Sequence, residues 1–306
     1  MGVWRDGRGP TVNVETPWAA GRLGPMGGPR GLLFGTMYED AEIERAAFRG
    51  RGRVFCIASA GCTAMQLSQE HDVVACDINP VQLEYTRRRI LGGPVETGAA
   101  ERAMNAARTL MPLVGWRAEA LRRFLALSDL NAQIGFWRAQ LDTRRFRAGF
   151  DALLSRPLLR TIYAGEFLSF LPSGFGAMMR ARLERGFARH ANAANPYARA
   201  LLLGEAAGPT CVNSSRVQLV VADAASFLES CEPGSFEGFA LSNILDAAAP
   251  SYGERLSGAV RRAAAPRAVA VLRSFAGPPA GPSENVAEDD RSLLWGTVKV
   301  CGAQSL

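Results

Sequence analysis

Three short stretches of this 306-residue chain carry residue types that can hold a polar small molecule. The first is Ser59-Ala60-Gly61-Cys62, directly after the apolar run Arg53–Ala58. Small side chains there let the backbone approach a ligand closely, and a helix starting at this point offers free N–H groups to an anion. The loop is not G-x-G-x-x-G, so taken alone it does not specify a ligand. The second is Asp77, which closes the run Asp72–Asp77, with Ile78 beside it. A carboxylate ending a second strand accepts hydrogen bonds from both hydroxyls of a ribose. Its plainer reading is a helix cap or a solvated acid. The third is Asp223, after Val217–Ala222. There a carboxylate and the N–H of Ala224 can hold an adenine ring, and the alternative is a cap for the helix 224–228. Together the three point to a nucleoside.

Those residues need strands ending beneath them. Arg53–Ala58 and Asp72–Asp77 are short, bounded apolar runs, as expected of parallel strands buried on both faces. A two-turn helix through Met65, Leu67 and Glu70 separates them. Asn79-Pro80 opens a helix over 81–90, with Asn as cap and Pro at its first position. Strands are expected again at Val217–Ala222, Phe236–Ser242 and Ala268–Arg273, with a helix over 252–264 before the last. A final strand spans Leu294–Cys301. Alternating strands and helices imply a mainly parallel, doubly wound α/β sheet. The last two strands have no helix between them and should pair antiparallel, an ending that resembles the Rossmann-like class I methyltransferase fold. Residues 95–205 differ: apolar residues recur at helical spacing (Ala103, Ala107, Leu110; Leu121, Phe124, Leu125), so this is a helical insertion of four to six helices. Residues 1–30 hold seven Gly and four Pro and read as a flexible lead-in. The domain expected is therefore 31–306, interrupted at about 95–205.

Composition removes several function classes. A hydrophobic fraction of 48% excludes disorder as the main theme. No run of about 18 apolar residues escapes a charge or a Gly/Pro break, so no membrane span is expected. The six cysteines form no C-x-x-C pair, which argues against a zinc ribbon, and no metal site is expected. No basic segment leads into an apolar one at the N-terminus, so a cytoplasmic protein with reduced thiols is expected. The net charge of +6 comes without an aromatic-interleaved basic platform, so nucleic acid is not an expected partner. Lys299 is the single lysine; every other basic side chain except the two histidines is Arg, which grips phosphate and carboxylate in a bidentate way.

The same residues carry a resemblance. Tyr38-Glu39-Asp40 with Glu42, Ile57–Cys62, and Asp77-Ile-Asn-Pro80 with Gln82 resemble the BtaA family of S-adenosylmethionine:diacylglycerol 3-amino-3-carboxypropyltransferases. The likeness continues through Phe136-Trp-Arg138, Gly165-Glu166, Leu241–Asp246 and Arg273, covering about residues 33–275. The specific part is S-A-G-C with D-I-N-P-x-Q; the helical middle matches at scattered positions. Asn243 stands where some members carry an acid, and Ala265-Pro-Arg-Ala268 replaces a glycine-bearing turn. The resemblance implies S-adenosylmethionine as co-substrate, held by Ser59, Ala60, Gly61, Cys62, Asp77, Ile78, Asp223 and Ala224, with chemistry near Ser242, Asn243 and Asp246.

Attack at the aminocarboxypropyl γ-carbon of S-adenosylmethionine releases methylthioadenosine, whereas methyl transfer releases S-adenosylhomocysteine. A hydroxyl acceptor, either a diacylglycerol-like lipid or a small metabolite, is a poor nucleophile and needs a base within reach. The candidates are Asp246, Glu166, Tyr38, Tyr163 and Glu39. His71 and His190 fall away from the expected site. Arg beside Leu, Phe and Met in 117–127 and 180–189 suits peripheral contact with an anionic bilayer, or equally a solvated basic face. An ordinary methyltransferase, cyclisation or elimination of the aminocarboxypropyl chain, and a non-catalytic nucleotide-binding protein stay open as alternatives.

Overall fold

The computed structural model describes residues 18, 21, 31–163, 165–169, 171–205, 212–277 and 285–306, without the side chains of Glu166 and Phe167. Apart from Trp18 and Gly21, the expected lead-in 1–30 lies outside the described residues. The chain enters through α1 (Glu42–Ala47), β1 (Arg53–Ile57), α2 (Cys62–Leu67), β2 (Asp72–Asp77) and α3 (Pro80–Ile90). Eight α-helices follow among the described residues, against the four to six expected: α4 (Ala99–Thr109), α5 (Ala118–Leu125), α6 (Leu130–Phe136), α7 (Arg144–Leu153), α8 (Arg156–Ile162), α9 (Glu166–Ser169), α10 (Phe175–Arg189) and α11 (Pro196–Leu203). Caps and breakers divide the run finely. Asp129, Thr143 and Asn195 each cap a new helix, and Gly115 and Gly174 turn the chain with positive φ. The chain then closes with β3 (Val217–Val221), α12 (Ala224–Ser230), β4 (Phe236–Ala240), α13 (Pro250–Ala263), β5 (Ala264–Ser274) and β6 (Thr297–Gly302).

The six strands form one sheet in the order β3-β2-β1-β4-β5-β6, parallel except for the last pair. This α/β architecture is compatible with a Rossmann-like fold. β1 and β2 are apolar along their length because both faces are covered. Alternate residues supply the two faces. Phe55, Val74 and Cys76 join Phe236, Phe239 and the inner sides of α12 and α13 on one face. Val54, Cys56, Val73 and Ala75 meet Met65, Leu67, Leu83 and Ile90 on the other.

Several boundaries differ from the sequence reading: β4 ends at Ala240, not Ser242, and α13 begins at Pro250, not Tyr252. Ser68 ends α2 before Glu70, its hydroxyl donating back to the Met65 carbonyl at 2.7 Å. β5 begins at Ala264, not Ala268, accommodating Pro266 at a register shift with Arg267 at φ 64°. β6 begins at Thr297, because Leu293 and Trp295 are spent as buried plugs between α10 and the sheet.

The helical segment has a core of its own. Trp116 stacks on Phe146 with centroids 4.2 Å apart, and its indole N–H donates across to the Leu141 carbonyl at 2.9 Å. Trp137, Phe124 and Phe187 complete an aromatic cluster.

Behind the sheet's carboxyl edge lies a buried ionic knot. Arg273, on β5, is fully buried; its Nε donates to Asp290 at 3.0 Å and its Nη atoms grip Glu44 of α1 and the Asp40 carbonyl. Burial opposes this charge, yet Glu44, Asp290 and Glu39 outweigh it and hold the guanidinium well above its ordinary pKa. Arg273→Met should therefore destabilise the fold by about 3–5 kcal/mol, because it strands buried carboxylates without a cation. Urea unfolding at constant m-value measures it; a loss below 1 kcal/mol would show the knot to be expendable.

Candidate functional site

In an open parallel sheet, a ligand site forms beyond the carboxyl ends where the strand order reverses. Here β1 leads outward through β2 and β3, while β4 leads the other way through β5, so the reversal lies between β1 and β4. The residues following these two strands, Ser59 and Ser242, both take left-handed backbone angles, φ 44° and 53°. Non-glycine residues adopt that region at a cost, and such cost concentrates at functional sites.

A pocket opens between them, enclosing about 650 Å³ with the solvent at its mouth counted. Ser59, Asp77, Ile78, Asp223, Ala224, Ser242 and Asn243 all line it. Its apolar wall comes from Ile57, Ala222 and Ile244, with Trp18, Leu33 and Phe34 on the N-terminal side. Among the described residues, Asp77 and Asp223 are the charged members of this lining, and no Lys, Arg or His belongs to it.

Asp77 is tied by backbone alone. One oxygen accepts from the Ser59 N–H at 3.0 Å and the other from the Asn79 N–H at 2.8 Å. Burial pushes its carboxyl up to about 7, and those two N–H groups offset only part of the shift. Asn79, in turn, caps α3 through the Val81 N–H. Asp223 is held on both oxygens: its Oδ1 caps α12 at the Ser226 N–H (2.9 Å) and pairs with Arg255 Nη1 at 3.5 Å, and its Oδ2 accepts from the Tyr252 hydroxyl (2.7 Å). Burial and then the Asp223 charge push the Tyr252 phenol upward.

Other expected residues sit elsewhere. Ala60, Gly61 and Cys62 do not line the pocket. Gly61 is at φ 80°, and a Cβ there would come 2.7 Å from Thr86 Cγ2, so the glycine serves close packing of the loop on α3. Cys62 Sγ faces Arg89 Nη1 at 3.1 Å and the Met37 N–H at 3.4 Å. Asp246 is buried outside the pocket lining, accepting from Ser274 Oγ at 2.6 Å, the Phe275 N–H at 3.1 Å and Asn243 Nδ2 at 3.3 Å. Burial raises its pKa and these donors moderate the shift. Tyr38 packs against Tyr197 and Ala200, away from the pocket. Tyr163 packs behind Leu33 and Ala100 without reaching the lining. Glu166 begins α9, and its side chain lies outside the described residues.

The wall formed by 31–36 was not anticipated. This segment joins no strand; the Leu32 and Leu33 carbonyls accept from the Ala99 and Ala100 N–H groups, and other backbone groups find side-chain partners. Gln82 Oε1 accepts from Leu33 and Phe34 N–H at 3.0 and 3.2 Å, while its Nε2 donates to the Phe34 carbonyl at 2.8 Å. Asn79 Nδ2 donates to the Gly31 carbonyl, Tyr85 to the Gly35 carbonyl, and Glu101 accepts from the Gly35 and Thr36 N–H groups. The signal was a polar Gln82 and Asn79 on an otherwise apolar-facing helix start. Tyr252 had no signal beyond its place in an amphipathic helix.

At the β4 end, Ser242 donates its hydroxyl to Glu39, which is buried and near Arg273. Burial drives Glu39 up to about 7, with Arg273 pulling it down and Glu44 pushing it up. Among the described residues, no group of three or more His, Cys, Asp or Glu is arranged to hold a metal ion. No helix among them is long and apolar enough to cross a membrane. Comparison with protein families, curated proteins and solved structures finds no match.

Two outcomes follow from this geometry. Gln82→Ala orphans three backbone groups of the wall and should cost about 1–3 kcal/mol. Hydrogen exchange would show it as faster exchange at Leu33 and Phe34; unchanged protection there would contradict the strapping role. Asp77 and Glu39 bind protons more tightly folded than unfolded, so the stability they contribute is full below their unfolded pKa, near 4. It is lost as pH rises through about 7. Asp77→Asn should thus shrink the drop in unfolding free energy between pH 5 and pH 8, and an undiminished drop would refute the assignment.

Proposed function

We propose that the chain is an S-adenosylmethionine-dependent transferase that moves the 3-amino-3-carboxypropyl group to a hydroxyl acceptor and releases methylthioadenosine. The observation that carries the reading is the acid Asp77 in a pocket with no basic side chain among its described lining residues. A phosphorylated nucleotide is favoured by Arg or Lys against its phosphates. A site with two acids favours instead an uncharged diol and a cation, as in the ribose and sulfonium of S-adenosylmethionine. In this reading Asp77 takes the ribose hydroxyls. Ile78, Ala222, Ala224 and Ile244 flank the adenine, and Asp223 meets its amino group with the lone pairs that Ser226, Tyr252 and Arg255 leave. Ser242 and Asn243 face the reacting end.

Supporting it are the strand order, with an antiparallel strand beside β5 as in class I methyltransferases, and the resemblance of S-A-G-C and D-I-N-P-x-Q to the BtaA family. Resemblance alone favours aminocarboxypropyl over methyl transfer. Charge supports the acceptor side: residues 99–203 carry sixteen arginines against seven acids, leaving the rest of the chain net acidic. Exposed Leu110 and Leu113 lie within this basic segment. Both suit a cytoplasmic enzyme that meets a diacylglycerol-like acceptor at an anionic membrane surface, with a small metabolite as the other acceptor class.

The test is calorimetric titration with S-adenosylmethionine, followed by identification of the adenosyl product with diacylglycerol vesicles. Binding and methylthioadenosine are expected; S-adenosylhomocysteine would replace this reading with methyl transfer. Asp77→Ala should weaken binding at least tenfold, and unchanged affinity would remove the ribose role.

A further inference from the structure

We propose that Ser242 and Glu39 form a proton relay at the pocket, Ser242 Oγ taking the proton of an acceptor hydroxyl as it passes its own to the Glu39 carboxylate. The inference rests on the reading above, in which a hydroxyl acceptor meets S-adenosylmethionine in this pocket.

Most of the pocket's other polar side chains have partners that occupy them, and Ser59, whose backbone is held by Asp77 and Thr86, has no hydroxyl bond to a buried acid. Asp77 is occupied by two backbone N–H groups, Asp223 by a helix cap and Tyr252, Gln82 by the wall, and Asn243 by Asp246. Asp246 has three donors and no place in the lining. Ser242 differs. It lines the pocket, and its hydroxyl donates to a buried acid behind it. Its left-handed backbone is fixed from β5, where the Arg273 N–H donates to the Ser242 carbonyl at 2.8 Å.

The acid is placed to accept a proton. Glu44 and Asp290 hold the close positions on Arg273, while Glu39 Oε2 lies 3.7 Å from the same guanidinium. One cation thus faces three carboxylates: Glu39, Glu44 from α1 and Asp290 from the segment before β6. Two ionised neighbours make the third easier to protonate. The titration near 7 already noted for Glu39 accords with this arrangement.

In the transfer, the acceptor oxygen bonds to the γ-carbon and the carbon–sulfur bond breaks. Its electron pair stays on the sulfur of methylthioadenosine. The acceptor proton moves to Ser242 Oγ and the serine proton to Glu39, so charge is conserved without a further reagent. When the ether product leaves, the proton returns by the same hydroxyl.

The experiment measures kcat against pH, and the Kd of S-adenosylmethionine, for wild type, Glu39→Gln and Ser242→Ala. Both variants should lose 100-fold or more in kcat. The rising limb near pH 7 should vanish while Kd stays within threefold. Either folded variant keeping more than a third of wild-type kcat with that limb intact overturns the relay. Circular dichroism and urea midpoints check folding; should Glu39→Gln fail to fold, Ser242→Ala decides. If wild type yields S-adenosylhomocysteine, the aminocarboxypropyl reading falls and the relay is decided by the same variants on methyl transfer. A wild type that binds no S-adenosylmethionine, or transfers to no hydroxyl acceptor, overturns both.

Discussion

A guanidinium removed from water must be surrounded by acceptors, and Arg273 collects them from three parts of the chain. Glu44 comes from α1, Asp290 from the segment before β6, the Asp40 carbonyl from the stretch before α1, and Glu39 waits as a third acid. Its own backbone N–H holds Ser242. A buried ion pair is poor evidence of net stability, because desolvation cancels much of the attraction. What such a cluster supplies is geometry. With so many charges to satisfy, one arrangement of α1, β5 and the β4 loop satisfies them all, and the neighbouring Asp40–Arg291 pair extends the lock outward.

That lock bears directly on the pocket. Ser242 sits in a strained conformation at the end of β4, and strain of this kind persists where surroundings over-determine the backbone. Across the crevice, Ser59 is held in the same way, by Asp77 at its N–H and by Thr86 at its carbonyl. Each side of the pocket is thus a strand end bent into place by a buried polar partner. The third side is the segment 31–36, an apolar wall whose backbone is tied at Gly31, Leu33, Phe34, Gly35 and Thr36. It depends on α3 and α4 and on no strand.

The helical segment is a different kind of object. Its aromatic core around Trp137 is separate from the two sheet cores, and its surface is strongly basic where the rest of the chain is net acidic. It is nonetheless bound to the sheet. Arg182 of α10 reaches the Leu294 and Phe275 carbonyls at 2.8 and 2.7 Å, and Leu293 plugs the helical core from the β5–β6 connection. Burial and then Arg185 lower the Arg182 guanidinium to about 10, an indication of how much desolvation this junction tolerates. The basic segment is therefore tied to the sheet through α10 and the β5–β6 connection.

Local sequence was sufficient for the sheet. Short apolar runs bounded by Gly, Asp and Asn-Pro identify β1, β2, β3 and the start of α3, since a strand buried on both faces leaves a continuous apolar record and a capped helix leaves a polar one. Asp77, Asp223 and Ser242 were legible as residues that end strands, because strand ends in such sheets converge. Long-range pairing left no such record. Glu39 and Ser242 are 203 positions apart, Arg273 and Glu44 are 229, and nothing in either neighbourhood names the other. The wall from Leu33 and Phe34 was invisible for the same reason: a segment without periodicity acquires its place only when Gln82 and Glu101 answer its backbone. Sequence determined which strands exist and which residues stand at their ends. Tertiary structure alone decided which of those residues are occupied by caps and which face the pocket, because a hydrogen bond between distant side chains depends on the packing that brings them within reach.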